Sequence, residues 1–261
     1  MEETRRSLRS RVREVVAETG SLVVPRRCPC GEEGSWLCAR CAVALAAPAR
    51  RVEAGCDALQ LLSGARIREE RHGATVLPAG VDHTPLLPVL ALGEYGGALQ
   101  ELVLAWKNAG QLHLGGRIAE ALAPAVTTLA ASGGVRRPEL VPVPSRRGAR
   151  IRRGEDHVAE LVRSLARTGC GRPLLLRAVP TTAQEGRGAR QRRGRRIRVT
   201  GAAARRAGAR AAPVVVVDDV VTTGATLRGM HEALTAQGMR VLGAVVVAAS
   251  RLPGHDDLAR W

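Results

Sequence analysis

The sequence predicts an α/β protein, a mostly parallel sheet flanked by helices, preceded by a small cysteine-rich module. Three observations carry that expectation. From residue 86 to 248, short apolar runs without polar alternation take turns with helix-period segments, as strands buried on both faces require. Four cysteines are packed into residues 28–41. The chain has 261 residues, 45% hydrophobic and 25% charged, which suits one principal core with room for an appendage and excludes disorder or a small disulfide scaffold. No apolar run approaches the roughly 18 residues of a membrane span, and the charged N-terminus, Met1 to Gly20, lacks a signal-type apolar core. A cytoplasmic protein without membrane insertion is expected.

Residues 5–19 alternate Arg and Glu with Leu8, Val12, Val15 and Val16, a short amphipathic helix stopped by Gly20. The cysteine module follows and leads into a helix over Ala42 to Ala47. A strand is expected at Leu86 to Leu92, then helices at Gly97 to Asn108 and Leu112 to Leu129, punctuated by Gly110 and Gly133. Next come a strand at Glu139 to Pro144, a helix at Asp156 to Arg167 and a strand at Pro173 to Val179. An Arg-rich loop precedes a strand at Val214 to Val217, a helix at Ala225 to Gln237 and a strand at Val241 to Ala248. Two domains are drawn from this, 1–55 for the helix and cysteine module and 86–253 for the α/β unit.

The formal charge is +16, and Lys107 is the only lysine. The excess is concentrated. Residues 186–210 hold ten arginines and no acid, residues 142–153 hold five more, and the rest of the chain is close to neutral. Two anion-facing surfaces are implied, although most charge runs are simply solvated. Aromatic residues are scarce: Trp36, Trp106, Trp261 and Tyr95, with no Phe. Single-strand binders stack bases on aromatic rings, so nucleic-acid binding here would rest on phosphate contacts and depend steeply on salt.

The most informative stretch runs from Val214 to Thr226, Val-Val-Val-Val-Asp-Asp-Val-Val-Thr-Thr-Gly-Ala-Thr. It reads as a buried strand, two acids, a hydroxyl- and glycine-rich loop and a helix start. In open α/β sheets ligands gather at the carboxyl ends of strands, and a helix N-terminus offers free N–H groups to a phosphate. Thr222, Thr223 and Thr226 can donate hydroxyls to a phosphate monoester, Gly224 lets the backbone turn closely around it, and Ala225 completes the candidate binding set. Asp218 and Asp219 could bond two ribose hydroxyls and help hold a hydrated Mg²⁺. A plain Asp-Asp helix cap would need neither the second acid nor the threonine cluster. A Walker A loop is excluded, because nothing around Lys107 fits its pattern.

This stretch resembles the 5-phosphoribosyl-1-pyrophosphate (PRPP) motif of the type I phosphoribosyltransferases. Over most of its length the chain also resembles the ComF family, competence-associated phosphoribosyltransferase-like proteins with an N-terminal cysteine finger. That likeness rests on the Cys28–Cys41 cluster, on Tyr95-Gly96 with Lys107, and on Val141-Pro142-Val143-Pro144-Ser145-Arg146-Arg147 followed by Arg153-Gly154-Glu155-Asp156-His157. It rests further on Gln184-Glu185-Gly186 with Arg192 and Arg193.

The resemblance implies a type I phosphoribosyltransferase fold with a flexible hood or loop, binding PRPP with Mg²⁺. Ser145 and Arg146 would lie where pyrophosphate binds, and Arg192 on a loop that closes over the ligand. Asp218, Asp219 and Lys107 are the catalytic candidates. It also implies a link to DNA uptake and to single-stranded DNA, either through transfer to a nucleobase-like or nucleic-acid-linked acceptor or as a non-catalytic adaptor that senses PRPP. The chain departs from the family where Arg187 and Gly188 replace Leu-Ser and where Arg195 stands in place of Asn. His157 could assist catalysis, although a lone His at a helix start is more often structural.

Six cysteines in a cytosolic chain point to metal rather than disulfides when four are clustered. Cys38 and Cys41 form a C-x-x-C pair, whereas Cys28 and Cys30 are C-x-C, one residue shorter than the family's pair. A structural Zn²⁺ on Cys28, Cys30, Cys38 and Cys41 is expected, with recruitment of Cys56 or free thiols as the alternatives. Cys170 reads as an ordinary partly buried thiol. His255, Asp256 and Asp257 resemble ligands but read as a solvated tail.

Overall fold

A computed structural model of the chain describes residues 27–72, 75–108, 113–144, 156–180 and 197–250. The helix expected at residues 5–19 and the tail at 255–257 lie outside the described residues.

In chain order the elements are α1 (Ala39–Ala46), β1 (Arg50–Arg51) and two short 3-10 turns, Glu53–Gly55 and Asp57–Leu59. There follow β2 (Gln60–His72), β3 (Thr75–Pro85), β4 (Val89–Glu94), α2 (Gly97–Asn108), α3 (His113–Ser132) and β5 (Glu139–Pro142). The second half comprises α4 (His157–Arg167), β6 (Arg172–Pro173), β7 (Arg177–Pro180), β8 (Ile197–Thr200), α5 (Ala202–Ala209), β9 (Pro213–Val221), α6 (Ala225–Thr235) and β10 (Arg240–Ala249).

Six strands form the main sheet in the order β1-β4-β10-β9-β5-β6. All neighbours in it are parallel except the short antiparallel edge β1. The all-valine start of β9 lies at its centre, with Val216 opposite Ala244 of β10 and Val141 of β5. Both faces are covered, which is why the run shows no polar alternation. Val215, Val217, Val245 and Val247 pack with α2, α3 and α4, while Val214, Val216, Ala244 and Val246 pack with α5 and α6. Each fully buried valine or leucine of these clusters contributes roughly 1.5–3 kcal/mol.

Most expected elements form within a few residues of their expected bounds, and α2 spans the expected range. Asp156 caps α4, accepting the Ala159 N–H at 3.3 Å. Three differences stand out. The single strand expected at Pro173 to Val179 is two strands in different sheets: β6 continues the main sheet beside β5, and β7 pairs antiparallel with β8. Leu174 and Leu176 bridge them by packing on the α6-side core.

The Arg-rich run is not loop throughout, since residues 197–209 form β8 and α5, anchored by buried Val199, Ala204 and Ala207. A further antiparallel hairpin, β2–β3, occupies 60–85, where no element was expected. Its charged run Arg66 to Arg71 hides the strand from any hydrophobic periodicity.

The cysteine segment packs on the sheet rather than beside it. Cys28, Cys38 and Cys41 are buried in one cluster with Leu99, Leu102 and Trp106 of α2 and Ile118 of α3. An Arg40–Glu101 ion pair at 3.1 Å and an edge contact between Trp36 and His113, ring centroids 5.2 Å apart, tie α1 and the knuckle to α2 and α3.

Candidate functional site

The carboxyl end of β9 brings together residues distant in sequence. Asp219 Oδ2 lies 2.7 Å from Lys107 Nζ, at the end of α2, and 2.7 Å from His157 Nε2, the first residue of α4. Asp219 Oδ1 accepts the N–H of Val220, and Asp218 Oδ1 accepts the N–H of Asp219 at 2.8 Å. Trp106 is buried and meets the imidazole edge to face, centroids 5.0 Å apart and planes at 83°. Adjacent residues of α2 thus act on one cluster, Trp106 on the imidazole and Lys107 on the carboxylate.

Side-chain exposures of 20% for Lys107, 17% for His157 and 18% for Asp219 leave the cluster desolvated yet within reach of a solute. Burial opposes ionisation of Asp219, but the hydrogen bond from His157 and the ammonium of Lys107 outweigh it and hold the carboxyl below its ordinary value.

The threonine loop begins three residues after Asp219. Thr222 and Thr223 are exposed, Thr226 is half-buried in the first turn of α6, and Thr223 Oγ1 accepts the Ala225 N–H at 3.4 Å. Gly224 caps α6 at φ +77, in the left-handed region. A Cβ there would meet Leu59 Cγ at 2.6 Å and Cys56 Cβ at 3.1 Å. The glycine is therefore demanded by the strap of 3-10 turns beneath the loop as well as by its own backbone. That strap is fastened: the Ala58 N–H donates to Thr223 O at 2.9 Å, and Arg228 of α6 donates to Ala58 O at 3.0 Å.

Glu53, almost wholly buried, anchors the strap by accepting the Val89 N–H at 3.0 Å and pairing with Arg51. Sequence reasoning missed this support. Glu53 sits in a segment with no periodic pattern, and only its position between Val52 and Cys56 hinted at burial.

For Mg²⁺ the donor set fits in part. Asp219 Oδ2 already takes two donors and Oδ1 one, which leaves acceptor capacity on Oδ1 for a hydrated ion, and Asp218 supplies a second carboxylate next to it.

The cysteine cluster is the other candidate centre. The sulfurs of Cys28, Cys30, Cys38 and Cys41 all lie within 4.8 Å of one another, and Cys30 and Cys38 are 3.5 Å apart. Tetrahedral Zn²⁺ with Zn–S near 2.3 Å places sulfurs about 3.8 Å apart, so the four could hold zinc despite the shortened C-x-C pair. Gly31 makes this possible by adopting φ +90 directly after Cys30, and its N–H donates back to Cys28 O. The Cys38 N–H donates to Cys28 Sγ at 3.2 Å.

Hydrogen bonding from the Glu32 backbone and then from Arg40 draws the Cys30 thiol down to about 6, whereas burial drives that of Cys41 up. Cys56 lies apart, under Gly224, donating to Val52 O at 3.6 Å. Cys170 is likewise buried and donates to Leu165 O.

Of the residues singled out from sequence, Lys107, Asp218, Asp219 and Thr222 to Thr226 gather at one end of β9, and the four cysteines form one cluster. Ser145, Arg146 and Arg192 lie outside the described residues. His157 enters the site as a direct partner of Asp219, and its only sequence signal was its place after a capping Asp at a helix start.

The phosphoribosyl transferase domain family matches residues 196–258, which contain both aspartates, the threonine loop and the strands that carry them. That stretch of the chain is similar to a phosphoribosyl transferase domain. The match takes in β8 to β10, whereas Lys107 and His157, the partners of Asp219, come from the part of the chain before it.

Among solved structures, the chain is similar to a hypoxanthine phosphoribosyl transferase of Trypanosoma cruzi, with 18% identity over 59% of this chain and 70% of that one and a TM-score of 0.34. An asparagine mutant from an analysis of an invariant aspartic acid in HPRTs matches at 18% identity over 59% and 71%, TM-score 0.34. A hypoxanthine phosphoribosyltransferase from Staphylococcus aureus matches at 11% over 50% and 64%, TM-score 0.27. At such scores the fold rests on the strand order itself. No curated protein matches the chain.

Proposed function

We propose that the protein binds PRPP at the carboxyl end of β9 and acts as a phosphoribosyltransferase of the ComF type. The observation that carries this reading is the Lys107–Asp219–His157 cluster placed immediately ahead of the threonine loop and the α6 N-terminus. The 5-phosphate lies on Thr222, Thr223, Gly224, Ala225 and Thr226, where hydroxyls and the N–H groups of the first α6 turn converge. Asp218 and Asp219 address the ribose, and Ser145, Arg146 and Arg192 meet the pyrophosphate.

In turnover the bond from the anomeric carbon to pyrophosphate breaks through an oxocarbenium-like state and a nitrogen nucleophile adds at that carbon. Arginine forks and the ammonium of Lys107 stabilise the departing charge. Mg²⁺, when bound, supplies further neutralisation of the pyrophosphate. Zinc on the four cysteines is structural, since four thiolates leave no open coordination position. The acceptor is nucleobase-like or nucleic-acid-linked, in line with the family's tie to DNA uptake, and the setting is cytoplasmic. Among the described residues no helix is long and apolar enough to cross a membrane.

Calorimetry with PRPP, with and without Mg²⁺, tests the reading on wild type, Asp219→Asn and Thr226→Val. Mg²⁺-dependent binding that both substitutions weaken at least tenfold is expected. No binding by wild type, or binding indifferent to both changes, overturns it.

A second reading, a PRPP-sensing adaptor for single-stranded DNA, is favoured by exposed Arg198, Arg205 and Arg206 on β8 and α5, within the Arg-rich run. It requires oligonucleotide binding that falls steeply with salt and falls again in Arg192→Ala/Arg193→Ala, without pyrophosphate release under any acceptor.

A further inference from the structure

The chain carries 40 basic residues and uses lysine for one of them, Lys107. At every other basic position arginine serves, so this position is where a compact ammonium on a flexible stem differs most from a planar fork. Its place explains the choice. Lys107 Nζ shares Asp219 Oδ2 with His157 Nε2, each at 2.7 Å, in a pocket that leaves about a fifth of each side chain exposed. One carboxylate oxygen thus serves two donors that are not alike in freedom.

His157 is held. It opens α4 directly after the capping Asp156, and the buried Trp106 ring meets it edge to face. Lys107 stands at the end of α2 on four rotatable carbons.

Resting on the PRPP reading above, we propose that Lys107 is an exchangeable counter-ion that leaves Asp219 for the pyrophosphate of the ligand, while His157 is the positioning residue that stays and keeps Asp219 ionised and oriented. Two features of the site support the exchange. Asp219 keeps a partner when the ammonium departs, because the imidazole N–H remains on Oδ2 and the Val220 N–H on Oδ1, so no bare buried carboxylate is created. The destination is stronger than the origin, since a pyrophosphate group carries several negative charges against one already shared. Departure of Lys107 also opens Oδ2 to a ribose hydroxyl, which links recognition of the sugar to the presence of pyrophosphate. A ligand with the sugar phosphate alone offers the ammonium no new partner.

The single lysine makes the test direct on the unaltered protein. With lysine labelled with ¹⁵N at Nζ, one side-chain resonance reports Lys107. It is expected to shift on adding PRPP or inorganic pyrophosphate and to stay in place with ribose 5-phosphate. In calorimetry, Lys107→Met should weaken PRPP and pyrophosphate at least tenfold and leave ribose 5-phosphate within about threefold. His157→Leu should weaken PRPP and ribose 5-phosphate alike, and His157→Gln, which keeps a donor, should restore most of the loss.

An unmoved lysine resonance in the PRPP complex, or equal weakening of PRPP and ribose 5-phosphate by Lys107→Met, overturns the exchange while the PRPP site stands. Failure of wild type to bind any of the three ligands overturns the site and the exchange together.

Discussion

The cysteine cluster and the Lys107–Asp219–His157 cluster lie on the same side of the sheet and are joined by one helix, α2, but they are built in opposite ways. The cysteines come from residues 28–41, gathered by a turn at Gly31 and the start of α1. The charged cluster draws on residues 107, 157 and 219 and exists only when α2, α4 and β9 are packed together. A cluster of local origin can persist when the core loosens and can assemble around a metal. One of long-range origin reports the integrity of the whole α2, α4 and β9 face.

The largest effect should come from breaking the local cluster. With zinc on the four cysteines as proposed, its removal by chelation, or Cys41→Ser, leaves thiols buried among Leu99, Leu102 and Trp106 without their common partner. A loss of about 4 kcal/mol is expected, on the order of 10 °C in Tm, read by calorimetric melting with release of stoichiometric zinc. An unchanged Tm on chelation would show that the knuckle holds itself together.

Gly224→Ala strikes the loop between the two designs. It places a Cβ 2.6 Å from Leu59 in a left-handed backbone, so denaturant unfolding should show a loss of about 2–3 kcal/mol. Leu59→Ala made in the same chain should return part of it by opening space.

Asp219→Asn tests the long-range cluster, removing the charge that two donors share, and should cost about 1–3 kcal/mol at neutral pH. Its pH dependence has a definite sign. The folded-state pKa is depressed below the ordinary 3.8, so the unfolded chain takes up the proton first as pH falls. The contribution is whole above about pH 4 and disappears as pH drops through the lowered value, and urea midpoints of wild type and Asp219→Asn should converge there.

The smallest effect separates the cysteines themselves. At pH 7 metal-free protein should be alkylated first at Cys30, whose thiol is drawn down to about 6. Cys56, which burial and the nearby Glu53 and Asp57 push up to about 12, should resist until unfolding, as peptide mapping would show.

These contrasts also divide what could be read from the chain. The strands β4, β5, β9 and β10 were legible as continuous apolar runs and the helices α2, α3, α4 and α6 by their helical period, and Gly97–Asn108 was legible to the residue. The β2–β3 hairpin was not, because Arg66 to Arg71 has no apolar side to alternate. Nor was the split of 173–180 into two sheets, because three successive leucines look the same in a strand and in a bridge between strands. In the site, the Asp-Asp and Thr-Thr-Gly pattern and the cysteine spacing were local and readable. The supporting strap was not, since nothing in Glu53, Cys56 or Leu59 names Gly224 as the neighbour.

By itself the sequence determined the parallel α/β layering, the strand that carries the acids, the threonine- and glycine-rich loop after it and the four sulfurs close enough to share a metal. Each depends on periodicity or on spacing within about a dozen residues, which the backbone imposes directly. Only the tertiary structure decided that Lys107 and His157 converge on one oxygen of Asp219, that Trp106 braces the imidazole, and that Leu59 leaves no room at position 224. Those contacts join residues 51 to 165 positions apart, and their geometry is set by how whole helices seat on the sheet, a property of the packed core that no single segment contains.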